Sequence, residues 1–208
     1  MNLDPCVICF KHCCSTSIYC KQVPAICPVC NATILEYLLE PFRLPNPFVN
    51  AREYPVTVVL RPSRGDFLND YTITDDLHIG VVDSKGNIFE YDEPGVIRND
   101  FSSWLNCLAF NIVPESWSDH WDTTIQKISN DKKWSRQNYN QDSLNCFNFV
   151  LEFLTQLNYS GALFASKEEF CESFVIPKFQ DALKFLTLYR RLKYVDHFCG
   201  NYYLYLPA

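Results

Sequence analysis

Seven of the eleven cysteines in this chain lie within its first thirty residues: Cys6, Cys9, Cys13, Cys14, Cys20, Cys27 and Cys30. A segment that short cannot bury enough apolar surface to hold itself together. Its fold must come through the thiols, by disulfides or by a metal. The opening MNLDPCVICF lacks a basic stretch followed by an apolar run, so no export signal is expected. In a reducing compartment a dense thiol cluster reads as a metal site. Cys27-Pro28-Val29-Cys30 is a C-x-x-C pair that can grip one edge of a tetrahedral Zn²⁺. The other pair must come from upstream. Cys14 and Cys20 are the preferred partners, with Cys6, Cys9, His12 and Cys13 as alternatives. Four protein ligands close a zinc site and make it structural. Residues 1–40 are therefore expected to form a zinc knuckle and short linker, and residues 41–208 the main domain.

The stretch PFRLPNPFVNAREYP, residues 41–55, carries four prolines and cannot be helical. It reads as an extended connector packed by Phe42 and Phe48. Beyond it, strands are expected at residues 56–60 and 77–82, the latter turning through Asp83-Ser84-Lys85-Gly86-Asn87 into a return strand over 88–91. A further strand is expected around 107–113. Helices follow at 118–128 and 144–157, the second capped by Asp142 or Ser143. Another starts at Ser166 with a Ser166/Glu169 capping box, and another at Pro177. Residues 201–206 read as a last strand. Strands followed by helices indicate an α+β fold with an antiparallel sheet.

A net charge of −6 and the lack of a long basic run exclude sequence-independent nucleic-acid binding. Arg190, Arg191 and Lys193 read as a solvated helix face. No apolar run approaches the roughly 18 residues that span a bilayer. The expectation is an intracellular protein, cytoplasmic or nuclear.

Chemistry concentrates at two places. Cys146, in Leu144-Asn145-Cys146-Phe147-Asn148-Phe149, falls where a helix should begin. Free N–H groups in a first helical turn favour a thiolate and can receive an oxyanion. His78, in Asp76-Leu77-His78-Ile79-Gly80, lies on the first arm of the hairpin. If Val82 faces Ile88, strand alternation puts His78, Gly80, Glu90 and Asp92 on one face, and Ile79, Val81, Phe89 and Tyr91 on the other. A carboxylate, Asp92 or Glu90, then sits across from the imidazole or one diagonal step away. A slip of one residue would destroy this. Taken singly, a cysteine in an apolar helix is usually a core residue; the pairing with a histidine and a carboxylate is what points to a nucleophile, a base and an orienting group. His120 and His197 read as structural.

These residues resemble the permuted papain-like superfamily, which includes lecithin–retinol acyltransferase-like proteins and PPPDE thiol isopeptidases. There a histidine strand, here His78 with Gly80, precedes a helix opened by N-C-x-x-F, here Asn145-Cys146 with Phe149. The resemblance implies a permuted papain-like (NlpC/P60-like) sheet packed with helices. It also implies thiol chemistry on a protein or acyl-containing substrate. No second histidine follows on the next strand, as such acyltransferases carry, which favours isopeptidase-like hydrolysis. A wider set of segments is similar to the makorin opposite-strand protein family: Ile18-Tyr19-Cys20 with Cys27–Cys30, Leu60-Arg61-Pro62, Asp76–Gly80, Asn145-Cys146, and Val175-Ile176-Pro177 with Phe185–Arg190. That likeness spans residues 12–193 and carries little information about activity. The expected function is a thiol hydrolase; the alternative is a catalytically silent protein-interaction module with a structural zinc knuckle.

Overall fold

In the computed structural model, which describes residues 5–200, the chain divides into two compact units. One comprises residues 1–47 and 179–208, the other residues 48–178. The expected tail strand at 201–206 lies outside the described residues.

The first unit begins with three short strands, β1 (Ile8–Lys11), β2 (Ile18–Cys20) and β3 (Leu39–Arg43). β1 pairs antiparallel with both others, Ile8 opposite Cys20 and Phe10 opposite Ile18. Phe10, Ile18, Cys20 and Cys27 form its small buried core. Pro41 lies in β3, an edge strand, where a missing N–H does no harm. The expected connector is thus partly strand. Its two aromatic anchors also divide: Phe42 is exposed, whereas Phe48 is buried and stacks on Phe67.

The second unit holds a five-stranded antiparallel sheet of order β7-β6-β5-β4-β8. Its strands are β4 (Thr57–Pro62), β5 (Leu77–Val82), β6 (Ile88–Asp92), β7 (Gly95–Arg98) and β8 (Leu108–Phe110). The β5–β6 register is the expected one, Val82 opposite Ile88 and Gly80 opposite Glu90. Asp83 fixes the turn by accepting from the N–H groups of Lys85 and Asn87. β7 was not expected; Glu93-Pro94 is the tight turn that returns the chain along β6, with Asp92 opposite Gly95.

Helices α1 (Ser118–Ser129) and α2 (Cys146–Leu157) pack together, and α2 lies against β5 and β6. Phe149, Phe153 and Leu157 are fully buried at helical spacing, each contributing roughly 2 kcal/mol. Phe153 meets Trp121 edge-on at 4.7 Å, and Phe149 meets Trp134 at 5.2 Å. A short helix, α3 (Lys167–Phe170), is capped by the Ser166 hydroxyl, which accepts from the Glu169 N–H.

A π-turn over Cys171–Val175 leads into α4 (Ile176–Arg191). The chain then forms β9 (His197–Cys199), which pairs with β2. Residues 179–200 thus group with the N-terminal unit, apart from the main domain expected over 41–208. The cause is β9: Phe198 pairs with Tyr19, and the two rings stack. Both sheets are antiparallel and the helices are largely segregated from them, so the fold is α+β. Among the described residues no helix is long and apolar enough to cross a membrane.

Candidate functional site

In the first unit, the loop leaving β1 and the C-x-x-C turn bring His12, Cys13, Cys27 and Cys30 together, with all ligand atoms within 4.8 Å of one another. Cys13 Sγ is 4.0 Å from Cys27 Sγ, and Cys30 Sγ is 3.5 Å from His12 Nδ1. Sulfurs bound at ~2.3 Å to one tetrahedral zinc stand about 3.8 Å apart. Asn31, in the left-handed region at φ 58°, closes the C-x-x-C turn with its N–H on the Cys27 carbonyl, and the Val29 N–H points at Cys27 Sγ at 3.4 Å. Burial raises the Cys27 thiol, but the N–H groups of Cys30 and Val29, with the Cys30 and His12 side chains, outweigh it and bring it down to about 6. Hydrogen bonding to Cys30, then burial, pushes Cys13 up to about 12. One thiolate held among crowded thiols and an imidazole is a donor set that a divalent cation would satisfy.

Of the expected ligands, Cys27 and Cys30 are in this cluster, and Cys14 and Cys20 are not. Cys20 faces the core beside Phe10 and Ile18, and burial pushes it up to about 11. Cys14 turns to Thr16, whose hydroxyl and N–H lower its pKa. His12 and Cys13 take their places. All eleven cysteines are free thiols.

In the second unit, α2 starts at Cys146. The cap is Asn145, not Asp142 or Ser143. Its side chain accepts from the N–H groups of Phe147 and Asn148, while Asn148 Oδ1 accepts from the Asn145 N–H at 2.9 Å. Asn140 draws Ser143 into the preceding turn, which is why Ser143 does not serve as the cap. The reciprocal cap places Cys146 at the first helical position and leaves its own N–H out of the capping bonds. Asn145→Ala should cost about 1 kcal/mol and lower the melting temperature; a melt unchanged from wild type would refute the cap's role.

His78, on β5, is buried, as is Glu90 on β6. His78 Nε2 lies 2.7 Å from Glu90 Oε2, though off the line a ring N–H would take, so Nε2 has no aligned hydrogen bond. Glu90 is further held by Trp104, whose Nε1 donates to Oε1 at 3.1 Å, and by Arg61, with Nη2 3.3 Å from Oε2. Arg61 is the cross-strand partner of His78 and lies over the Trp104 ring. Gly80 makes room for that indole: a Cβ there would come 3.2 Å from Trp104 and 3.0 Å from the Phe89 carbonyl.

Burial disfavours the charged form of His78. The side-chain and charge interactions with Cys146, then Glu90, outweigh it and raise the imidazole to about 9. Cys146, His78 and Glu90 therefore form one cluster. Asp92 does not take the orienting position. It lies beside Tyr139, whose phenol is pushed up to about 12 by burial and by the charges of Asp92 and Cys146. Arg61 and Trp104 were not read from the sequence. Arg61 was recoverable from the β4–β5 register, and a glycine within a strand signals a close approach; no local pattern marks Trp104.

His78 and Cys146 line an open groove of about 1200 Å³ with Asp92, Tyr139, Gln141 and Asn145.

The DUF4796 C-terminal family model matches residues 41–192, and the DUF4796 N-terminal model residues 5–34. The human MKRN2 opposite strand protein is 32% identical over 190 residues, covering 88% of this chain and 84% of that protein. No solved structure matches. With most of its length matched by these models and by that relative, the chain belongs to the makorin opposite-strand family defined by the DUF4796 N- and C-terminal segments.

Proposed function

We propose that this protein is a thiol hydrolase acting on an amide, isopeptide or acyl bond, with Cys146 as nucleophile, His78 as base and acid, and Glu90 as orienting group. The observation that carries the reading is a helix-start cysteine against a buried His78–Glu90 pair at the floor of an open groove. Glu90 faces Nε2, which leaves Nδ1 for the sulfur. The thiolate of Cys146 attacks the carbonyl carbon, and the oxyanion is received by the Cys146 N–H at the helix start. The imidazolium of His78 gives its proton to the leaving nitrogen or oxygen, and a thioester remains on Cys146. Water, losing a proton to His78, attacks the thioester carbonyl and releases the acid; the thiol returns as leaving group. The order of His78 strand, hairpin and Cys146 helix suits a permuted papain-like arrangement. In the first unit, one imidazole and three thiols suit structural zinc better than a hard cation. Eleven free thiols suit a reducing compartment, cytoplasmic or nuclear.

The direct test is covalent capture by a thiol-reactive ubiquitin-like or acyl probe. Adduct is expected on wild type and none on Cys146→Ala; equal labelling, or none on either, rejects the hydrolase. A second reading, a catalytically silent interaction module, draws on the exposed apolar side chains Leu35, Leu38 and Phe42 of the cysteine-rich unit.

A further inference from the structure

We infer that the groove in front of Cys146 takes a positively charged polypeptide segment, an inference that names the substrate class for the hydrolase reading and rests on it. Six carboxylates line the groove: Asp70, Asp75, Asp76, Asp92, Glu93 and Asp142. Against them stand Arg64 and Lys167 at the rim, an excess of four negative charges once the protonated His78 is set against its partner Glu90. Lys167 is already engaged, its Nζ lying 4.3 Å from the centroid of the Phe147 ring. None of the ion pairs among the described residues uses a rim carboxylate.

Three of the acids, Asp70, Asp75 and Asp92, are held by backbone N–H groups, and none is paired with a cation. Asp70 accepts from the Asp66 N–H and Asp75 from the Thr72 N–H. The same groove is lined by His78 and Cys146, with His78 Nε2 held toward Glu90 at 2.7 Å. A concave wall of one sign focuses its field on whatever enters, and carboxylates in pairs suit lysine and arginine heads. The volume decides between a small cation and a chain. At about 1200 Å³ the groove exceeds the roughly 300–1000 Å³ of small-molecule pockets, so an extended segment fills it better.

The test uses the full chain carrying Cys146→Ala, so that nothing turns over, and fluorescein-labelled peptides of equal length rich in lysine, serine or glutamate. By anisotropy the lysine-rich peptide should bind at least about tenfold more tightly than the serine-rich one, and the preference should shrink as salt rises. Asp76→Asn, Glu93→Gln and Asp142→Asn, added together, should bring the lysine-rich peptide to the serine-rich level. Among the described residues these three side chains make no hydrogen bond or ion pair, so the fold should survive, which circular dichroism verifies. Equal binding of the three peptides overturns the inference, as does lysine-rich binding undiminished by the triple change. Probe capture on wild type with no charge preference sinks this inference alone; charge preference without probe capture sinks the hydrolase reading instead.

Discussion

At pH 6, iodoacetamide should alkylate Cys146 about tenfold faster than Cys107, Cys171 or Cys199, with each site read separately by mass spectrometry. A free thiol of pKa about 8.5 is only about 0.3% thiolate at pH 6, which keeps ordinary thiols slow there. The comparison thiols are poor competitors. Burial pushes Cys107 up to about 12 and raises Cys171 and Cys199. The partner of Cys146 is His78, whose raised pKa of about 9 keeps the ring protonated through neutral pH. The advantage should therefore persist from pH 6 to 8 and narrow as pH rises through about 9, where the imidazolium loses its proton and ordinary thiols ionise. His78→Ala should erase it. The fold should tolerate that change, because Glu90 retains Arg61 and the Trp104 N–H. Glu90→Gln should give a smaller loss by loosening the ring. Asp92→Asn should leave the rate close to wild type, since Asp92 sits beside Tyr139. Should Cys146 react no faster than the other three, or should His78→Ala change nothing, the activated pair does not exist.

How far the sequence reveals this arrangement depends on the range of the forces involved. The β5–β6 hairpin was legible because the Asp83–Asn87 turn fixes the register and alternation does the rest. That register placed Glu90 on the face of His78. It could not choose between Glu90 and Asp92, because the choice depends on Trp104 and Arg61 anchoring one carboxylate from other parts of the chain. The start of α2 was legible to within two residues. Its cap was missed because Asn145 and Asn148 cap reciprocally, and asparagine at the third helical position is a weaker local signal than glutamate or glutamine. The strands of the first unit were hidden for a different reason. At three to five residues they carry no readable period, and β9 finds β2 across nearly the whole sequence. The candidate metal cluster was half legible: the C-x-x-C turn is local, but His12 and Cys13 join it only through the β1–β2 hairpin.

Removing the metal ligands should unfold the first unit and spare the second. Replacing Cys27 and Cys30 by serine should abolish binding of about one zinc per chain, read by elemental analysis of the reduced protein. The energetic case is lopsided. The core of this unit is a handful of buried side chains around Phe10, Ile18, Cys20 and Cys27, whereas zinc bound to cysteine and histidine contributes on the order of 10 kcal/mol to folding. Cys27 belongs to both, as a candidate ligand and as core. The unit is closed at its far end by β9, so losing the knuckle should release both ends of the chain together. Limited proteolysis of the double variant should cut within residues 5–47 and beyond about residue 178, leaving a resistant fragment that matches residues 48–178. That fragment keeps its own sheet and the buried aromatic contacts of Trp121, Trp134, Phe149 and Phe153, so the reactivity of Cys146 should be retained. Wild type stripped with a strong chelator should show the same pattern and recover on adding Zn²⁺. Reduced wild-type protein without zinc would refute the metal, and cutting confined to the N-terminal side would refute the shared unit.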